Sequence, residues 1–100
     1  MQDITASELN QKLMKGEAIA LIDVREPYEH EEFNIGGENL PLGEIMTWSN
    51  ELTVPADTVI VLYCRSGNRS AMAQSFLVSK GFSAVLNLVG GLVAWQKLNG

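Results

Sequence analysis

Cys64 is the only cysteine of the chain, and it is followed at once by Arg65-Ser66-Gly67-Asn68-Arg69, a polar stretch with two permanent cations and a glycine. A thiol is a nucleophile only as thiolate, and a free cysteine, with a pKa of about 8.5, is mostly protonated at neutral pH unless its surroundings favour the anion. This stretch supplies such surroundings. Arg65 and Arg69 add positive charge, Gly67 lets the backbone curl closely, and a helix expected to be capped by Ser70 points its N-terminal amides at the loop. Successive amides of such a turn make an anion nest. Cys64 is therefore the candidate catalytic residue, and Arg65, Ser66, Gly67, Asn68, Arg69 and Ser70 are the candidate anion-binding set.

A lone cysteine is more often a small buried hydrophobe than a nucleophile. Here the context favours reactivity, because a core position is not expected to lead straight into a loop with two arginines. With one cysteine there is no intrachain disulfide and no resolving thiol, so the thiol is expected to stay reduced. The only histidine, His30, stands among Glu29, Glu31 and Glu32 and reads as part of a solvated acidic helix. Chemistry at Cys64 is then expected to run without a Cys–His dyad. Trp48, Trp95 and Phe76 read as packing residues rather than a ligand cage.

The elements that must position Cys64 follow from hydrophobic pattern. Thr58-Val59-Ile60-Val61-Leu62-Tyr63, apolar and β-branched, predicts a buried strand running straight into Cys64. Ala18-Ile19-Ala20-Leu21-Ile22 and Ala84-Val85-Leu86-Asn87-Leu88 predict two more strands, and a very short one fits at Asn39-Leu40. Between them, Thr5-Ala6-Ser7-Glu8 has capping-box spacing and opens a helix over about residues 6–15. Pro27 opens a short acidic helix to about Phe33, and a helical segment is expected near Glu44-Ile45-Met46. Ala73, Phe76 and Leu77 mark a helix closed by Gly81, and Gly90-Gly91 leads into a last helix holding Ala94, Trp95 and Leu98. Alternating buried strands and crossover helices imply an α/β fold: a mostly parallel sheet of about five strands with helices on both faces, in one domain over residues 1–100. In such sheets ligands bind beyond the carboxyl ends of the strands, where Cys64 is delivered.

Of the 100 residues, 46% are hydrophobic and 19% charged, which suits a globular chain rather than a disordered one. The formal net charge is −5, and all twelve carboxylates lie at or before Asp57. Residues 58–100 carry Arg65, Arg69, Lys80 and Lys97 and no acid. These scattered cations do not form the dense basic stripe of a nucleic-acid binder. No stretch approaches membrane-spanning length and no signal peptide is visible, so a cytoplasmic protein without membrane partners is expected. The residues call for no metal and no cofactor.

Cys64-Arg65-Ser66-Gly67-Asn68-Arg69 resembles the Cys-Arg-x-Gly-x-Arg active-site loop of the rhodanese family, the thiosulfate sulfurtransferases. Asp23-Val24-Arg25-Glu26, Asn39-Leu40-Pro41-Leu42 and Gly90-Gly91-Leu92-Val93-Ala94-Trp95 are similar to further segments of that family, so the resemblance covers nearly the whole chain. It implies a three-layer rhodanese-like domain that moves sulfane sulfur from a small anionic donor such as thiosulfate, through a Cys64 persulfide, to cyanide or a thiol. It also draws attention to Asp23, Arg25 and Glu26, for which structural support of the site through ion pairs is the expected role.

Glu32-Phe33-Asn34-Ile35-Gly36-Gly37 departs from the family, many of whose members have a histidine there. The variant resembles rhodanese domains fused to adenylating enzymes that charge sulfur-carrier proteins, which points to such a carrier as acceptor. Two other readings stand beside the sulfurtransferase. A phosphatase or arsenate reductase also holds an oxyanion with a cysteine loop and an arginine, but spaces five residues between them, whereas Arg65 through Asn68 are four. A non-catalytic binding module usually loses the cysteine, which is kept here.

Overall fold

The run after Thr58 forms a strand because β-branched side chains suit a pleated surface, and its alternation decides what lies on each face. In the computed structural model, which describes residues 2–100, the strands are β1 (Gln2–Ile4), β2 (Ala20–Asp23), β3 (Glu38–Asn39), β4 (Val59–Tyr63) and β5 (Ala84–Leu88). They form one sheet in the order β1-β5-β4-β2-β3, and every pairing is parallel. Residue 1, at the start of the expected domain, lies outside the described residues.

From β4, Ile60, Leu62 and Cys64 face one side of the sheet and join Ile22, Ala73, Leu77 and Val85. Val61 and Tyr63 face the other and join Ile4, Leu9, Leu88 and Leu92. Helices α3 (Ile45–Glu51) and α4 (Asn68–Ser79) cover the first face, and α1 (Ala6–Met14) and α5 (Gly91–Asn99) cover the second. The short α2 (Pro27–Glu32) buries no side chain fully. Ile60, Leu62 and Leu77 are wholly buried, and each such side chain contributes about 1.5–3 kcal/mol, so β4 is a firm base for the loop that starts at Cys64.

Thr5 caps α1 in a reciprocal capping box with Glu8, as its spacing predicts. Elsewhere pairing overrules local pattern. β1 was not expected: three residues are too few to display alternation, yet they pair with Leu86, Asn87 and Leu88. β2 runs Ala20–Asp23 rather than Ala18–Ile22, because its register against Ile60 through Tyr63 carries it on to Asp23. β3 sits one residue earlier than expected, set by the pairing of Glu38 and Asn39 with Ile22 and Asp23. A 3-10 turn at Leu42–Glu44 precedes α3, and Trp48 donates its indole N–H to Pro41 O at 2.8 Å. No helix among the described residues is long and apolar enough to cross a membrane.

Candidate active site

Cys64 comes directly after the last residue of the central strand, and the chain must turn sharply there to enter α4. Gly67 makes that turn, with φ at +101°, where a side chain is strained. It is the N-cap residue of α4, which therefore begins at Asn68. Ser70 is thus not the cap that the sequence suggested. It lies in the first turn, fully buried, with its hydroxyl turned to the sulfur.

The loop closes around Sγ. Gly67 N–H donates to it at 3.1 Å and Ser70 N–H at 3.4 Å, while Ser70 Oγ lies 3.3 Å away. Burial by itself pushes the thiol pKa up. Hydrogen bonds from the Ser70 hydroxyl and from the amides of Ser70, Gly67 and Ser66 outweigh it and hold the thiol below its ordinary value. Cys64 is only 1% exposed, so it is buried as a core cysteine would be, but the atoms around its sulfur are polar.

What aims those amides inward is the second face of the loop. Cys64 O and Arg65 O accept hydrogen bonds from Leu92 N–H and Val93 N–H, both at 3.0 Å, at the start of α5. This requires Gly91, where φ is +54° and a Cβ would stand 2.4 Å from Cys64 O and 2.5 Å from Arg65 O. Asn87, on β5, donates from Nδ2 to Gly67 O at 3.2 Å and accepts from the Ser70 hydroxyl at 2.5 Å. With the carbonyls taken up outside, the amides point at the sulfur.

The remaining sequence candidates divide. Arg65 and Ser66 are exposed on the loop, and Asn68 is exposed at the first position of α4. Arg69 forms two hydrogen bonds to Glu29 on α2, at 2.7 and 3.1 Å, so Glu29 is its carboxylate partner. Glu26 contributes a backbone N–H to Glu29 Oε1 at 3.1 Å. The hydrogen bond to Arg69 holds the Glu29 carboxyl below its ordinary range. Asp23 is fully buried, and Arg25 grips it from Nε and Nη2 while also donating to Phe33 O. His30 is not the solvated residue expected: its Nδ1 lies 2.8 Å from Asp23 Oδ2. Asp23, Arg25 and His30 thus brace the approach of α2 to the sheet, and no hydrogen bond joins them to Cys64. Tyr63 supports the next turn by donating to Gly36 O at 2.9 Å, with burial pushing its hydroxyl up to about 12. Among the described residues no three His, Cys, Asp or Glu side chains gather to hold a metal ion.

Sequence reasoning missed Asn87 and Glu29. A signal existed for the first, an amide in an otherwise apolar strand, since buried polar groups need partners. For Glu29 there was none, because the chain holds several glutamates around Pro27 and only the docking of α2 against α4 selects one.

Residues 5–98 match the Rhodanese-like domain family. A probable adenylyltransferase/sulfurtransferase of Mycobacterium tuberculosis is 42% identical over 95 residues, covering 94% of this chain and 24% of that protein, so the chain spans about a quarter of that relative. A sulfurtransferase of Allochromatium vinosum is 37% identical over 98 residues, covering 97% of this chain and 90% of that protein. The crystal structure of a rhodanese-like domain protein from Staphylococcus aureus superposes with a TM-score of 0.84 at 27% identity, over 95% of this chain and 91% of that one. A parallel sheet that presents a cysteine to its own loop amides, and a match along nearly the whole chain, lead to one assignment: the chain belongs to the rhodanese-like domain family.

Proposed function

We propose that the protein is a sulfurtransferase that carries sulfane sulfur on Cys64, working in the cytoplasm as one domain over residues 1–100. The observation that carries this reading is the ring around Sγ made by the donating amides of Gly67 and Ser70 and by the Ser70 hydroxyl oxygen 3.3 Å away. The Cys64 thiolate attacks the outer sulfur of thiosulfate; the donor's S–S bond breaks and sulfite leaves with its electron pair. The negative charge moves to the new terminal sulfur, where the loop's amides and cations can meet it. Cyanide or a thiolate acceptor then takes that sulfur and returns Cys64 as thiolate. Neither half needs a proton-transfer residue, which suits a loop with no histidine hydrogen-bonded to the sulfur.

The names of the relatives, a sulfurtransferase and an adenylyltransferase/sulfurtransferase, support sulfur transfer, for which a thiol or a sulfur-carrier protein is the acceptor we propose. Arg65 and Arg69 serve the anionic donor, with Ser66, Gly67, Asn68 and Ser70 completing the cradle, and Asp23, Arg25 and Glu26 act as structural support. Intact mass spectrometry after incubation with thiosulfate tests the reading. One added sulfur atom is expected on the wild-type protein and none on Cys64→Ser; equal addition to both, or to neither, overturns it. Turnover of an aryl phosphate would favour the phosphatase reading instead.

A further inference from the structure

The Ser70 hydroxyl has one proton and faces two acceptors. Asn87 Oδ1 lies at 2.5 Å and Cys64 Sγ at 3.3 Å, and Ser70 is fully buried with Asn87 8% exposed, so bulk water does not stand in for either. The orientation of Asn87 is settled by its other end: Nδ2 donates to Gly67 O at 3.2 Å. Turning the amide over would set two oxygens against each other there. Ser70 must then donate to Asn87 while the thiol is protonated, and the Sγ–H proton points to Ser70 Oγ.

We propose that Asn87 is a positioning residue that acts through the Ser70 hydroxyl to disfavour the bare Cys64 thiolate and favour the sulfur-loaded cysteine. When Cys64 gives its proton to solvent, the Sγ–H···Oγ bond is lost and the Ser70 hydroxyl must turn to the anion. Asn87 Oδ1 is then left without its donor in a buried site, an unfavourable state. Loading reverses this. The incoming sulfur bonds to Sγ as the donor's S–S bond breaks and its electron pair departs with the leaving group, so the charge moves to the outer sulfur. Sγ, now bonded to carbon and sulfur, is a weak acceptor, and the Ser70 proton returns to Asn87. The consequence for loading rests on the sulfurtransferase reading; the coupling between Asn87, Ser70 and the thiol does not.

Other charged groups around the sulfur are already engaged elsewhere or point outward. Arg69 on α4 is held by Glu29 of α2, Asp23 on β2 is held by Arg25 and His30, and Arg65 is exposed on the loop. Lys80 lies just past the far end of α4, and Lys97 is in the last turn of α5. None of them makes a hydrogen bond to Ser70 or Asn87 among the described residues.

The test is the pH dependence of Cys64 alkylation by iodoacetamide in wild type, Asn87→Ala, Ser70→Ala and the double variant, with Asn87→Leu as a second, bulkier replacement. Removing Asn87 should lower the thiol midpoint by about one pH unit, the size of one neutral hydrogen bond. It should do nothing in the Ser70→Ala background. A shift of equal size in both backgrounds would mean that Asn87 acts only by anchoring Gly67, and would overturn the proposal, as would no shift at all. The wild-type protein supplies a measurement that does not depend on the variants folding: the Asn87 side-chain amide resonances should move as Cys64 ionises and move back on sulfur loading. Resonances indifferent to Cys64 ionisation defeat the idea. Above the thiol midpoint, the equilibrium constant for loading from thiosulfate against sulfite should fall about tenfold in Asn87→Ala; an unchanged constant removes the loading half. If thiosulfate loads no sulfur on any variant, the sulfurtransferase reading fails while the alkylation and resonance results still judge the coupling.

Discussion

Arg69 and Glu29, 40 positions apart in sequence, are joined by two hydrogen bonds at 2.7 and 3.1 Å, so the second arginine of the loop is already paired before any donor arrives. On the proposed function, an anionic donor that meets Arg69 must share or displace that carboxylate. The Arg69 side chain is 37% exposed and that of Glu29 18%, and a pair this accessible to solvent contributes about 0.2–1 kcal/mol. Glu29→Gln should therefore raise kcat/KM for thiosulfate by up to roughly fivefold, with a small loss in Tm. A fall in kcat/KM would instead mean that Glu29 is needed to aim Arg69.

Arg69→Ala removes both the pair and the cation. If the guanidinium meets the donor, kcat/KM for thiosulfate should drop roughly 10- to 150-fold, as loss of a charge-assisted contact implies. Among the described residues Arg65 has no carboxylate partner of this kind, so Arg65→Lys should recover much of the activity lost in Arg65→Ala, the charge mattering more than the planar fork. Steady-state kinetics beside melting curves for each variant separate donor binding from folding. Normal kinetics in both alanine variants would defeat the anion-cradle argument.

Glu29 also makes a pH prediction. Its folded-state pKa is depressed, chiefly by the hydrogen bond from Arg69, so its stabilising contribution is present above the ordinary carboxylate value of 4.5 and is lost as pH falls through the lowered folded value. The Tm difference between wild type and Glu29→Gln should be constant near neutrality and disappear in acid below that value. A difference that grows on acidification would contradict the assignment.

On the proposed mechanism, in which Cys64 alternates between free and loaded states, thiosulfate–cyanide turnover should follow ping-pong kinetics. Parallel double-reciprocal lines are the expected result. Intersecting lines would require donor and acceptor to occupy the site together.

Gly91→Ala should damage the loop rather than the core. Its Cβ would fall 2.4 Å from Cys64 O, with backbone on both sides and a positive φ, so the contact cannot be relieved by a rotamer change. Overpacking of this kind destabilises by about 1–3 kcal/mol, a Tm loss of roughly 5–20 °C for a chain of this size. Thiol reactivity should fall with it, and a variant with unchanged Tm and alkylation rate would show that α5 does not hold the loop.

Asp23→Asn tests the buried cluster. Asp23 is fully buried between Arg25 and His30, and removing one partner of a buried ion pair is destabilising by about 3–5 kcal/mol. The folded fraction that remains should keep a wild-type midpoint for Cys64 alkylation, since no hydrogen bond joins Asp23 to the sulfur. A shifted midpoint would give Asp23 a direct part in the site.

Sequence alone determined the features whose causes are local. The continuous apolar, β-branched run after Thr58 makes β4 whatever lies beside it, Gly67 permits the positive-φ turn, and Cys64 is ringed by the amides after it because both belong to one short stretch of chain. The tertiary structure decided whatever depends on two distant segments meeting. β1 exists because β5 pairs with it, not because Gln2–Ile4 has a strand's pattern. Parallel pairing of β4 with β5 sets Leu62 opposite Asn87, which carries that amide to Ser70 and Gly67; shifted by one residue, its side chain would point to the other face of the sheet. Glu29 meets Arg69 for the same kind of reason, since the placement of α2 beside α4 decides which glutamate around Pro27 reaches that arginine. Periodicity and turn chemistry are written into neighbouring residues, whereas register and docking result from burying both faces of the sheet at once, and no single segment contains that information.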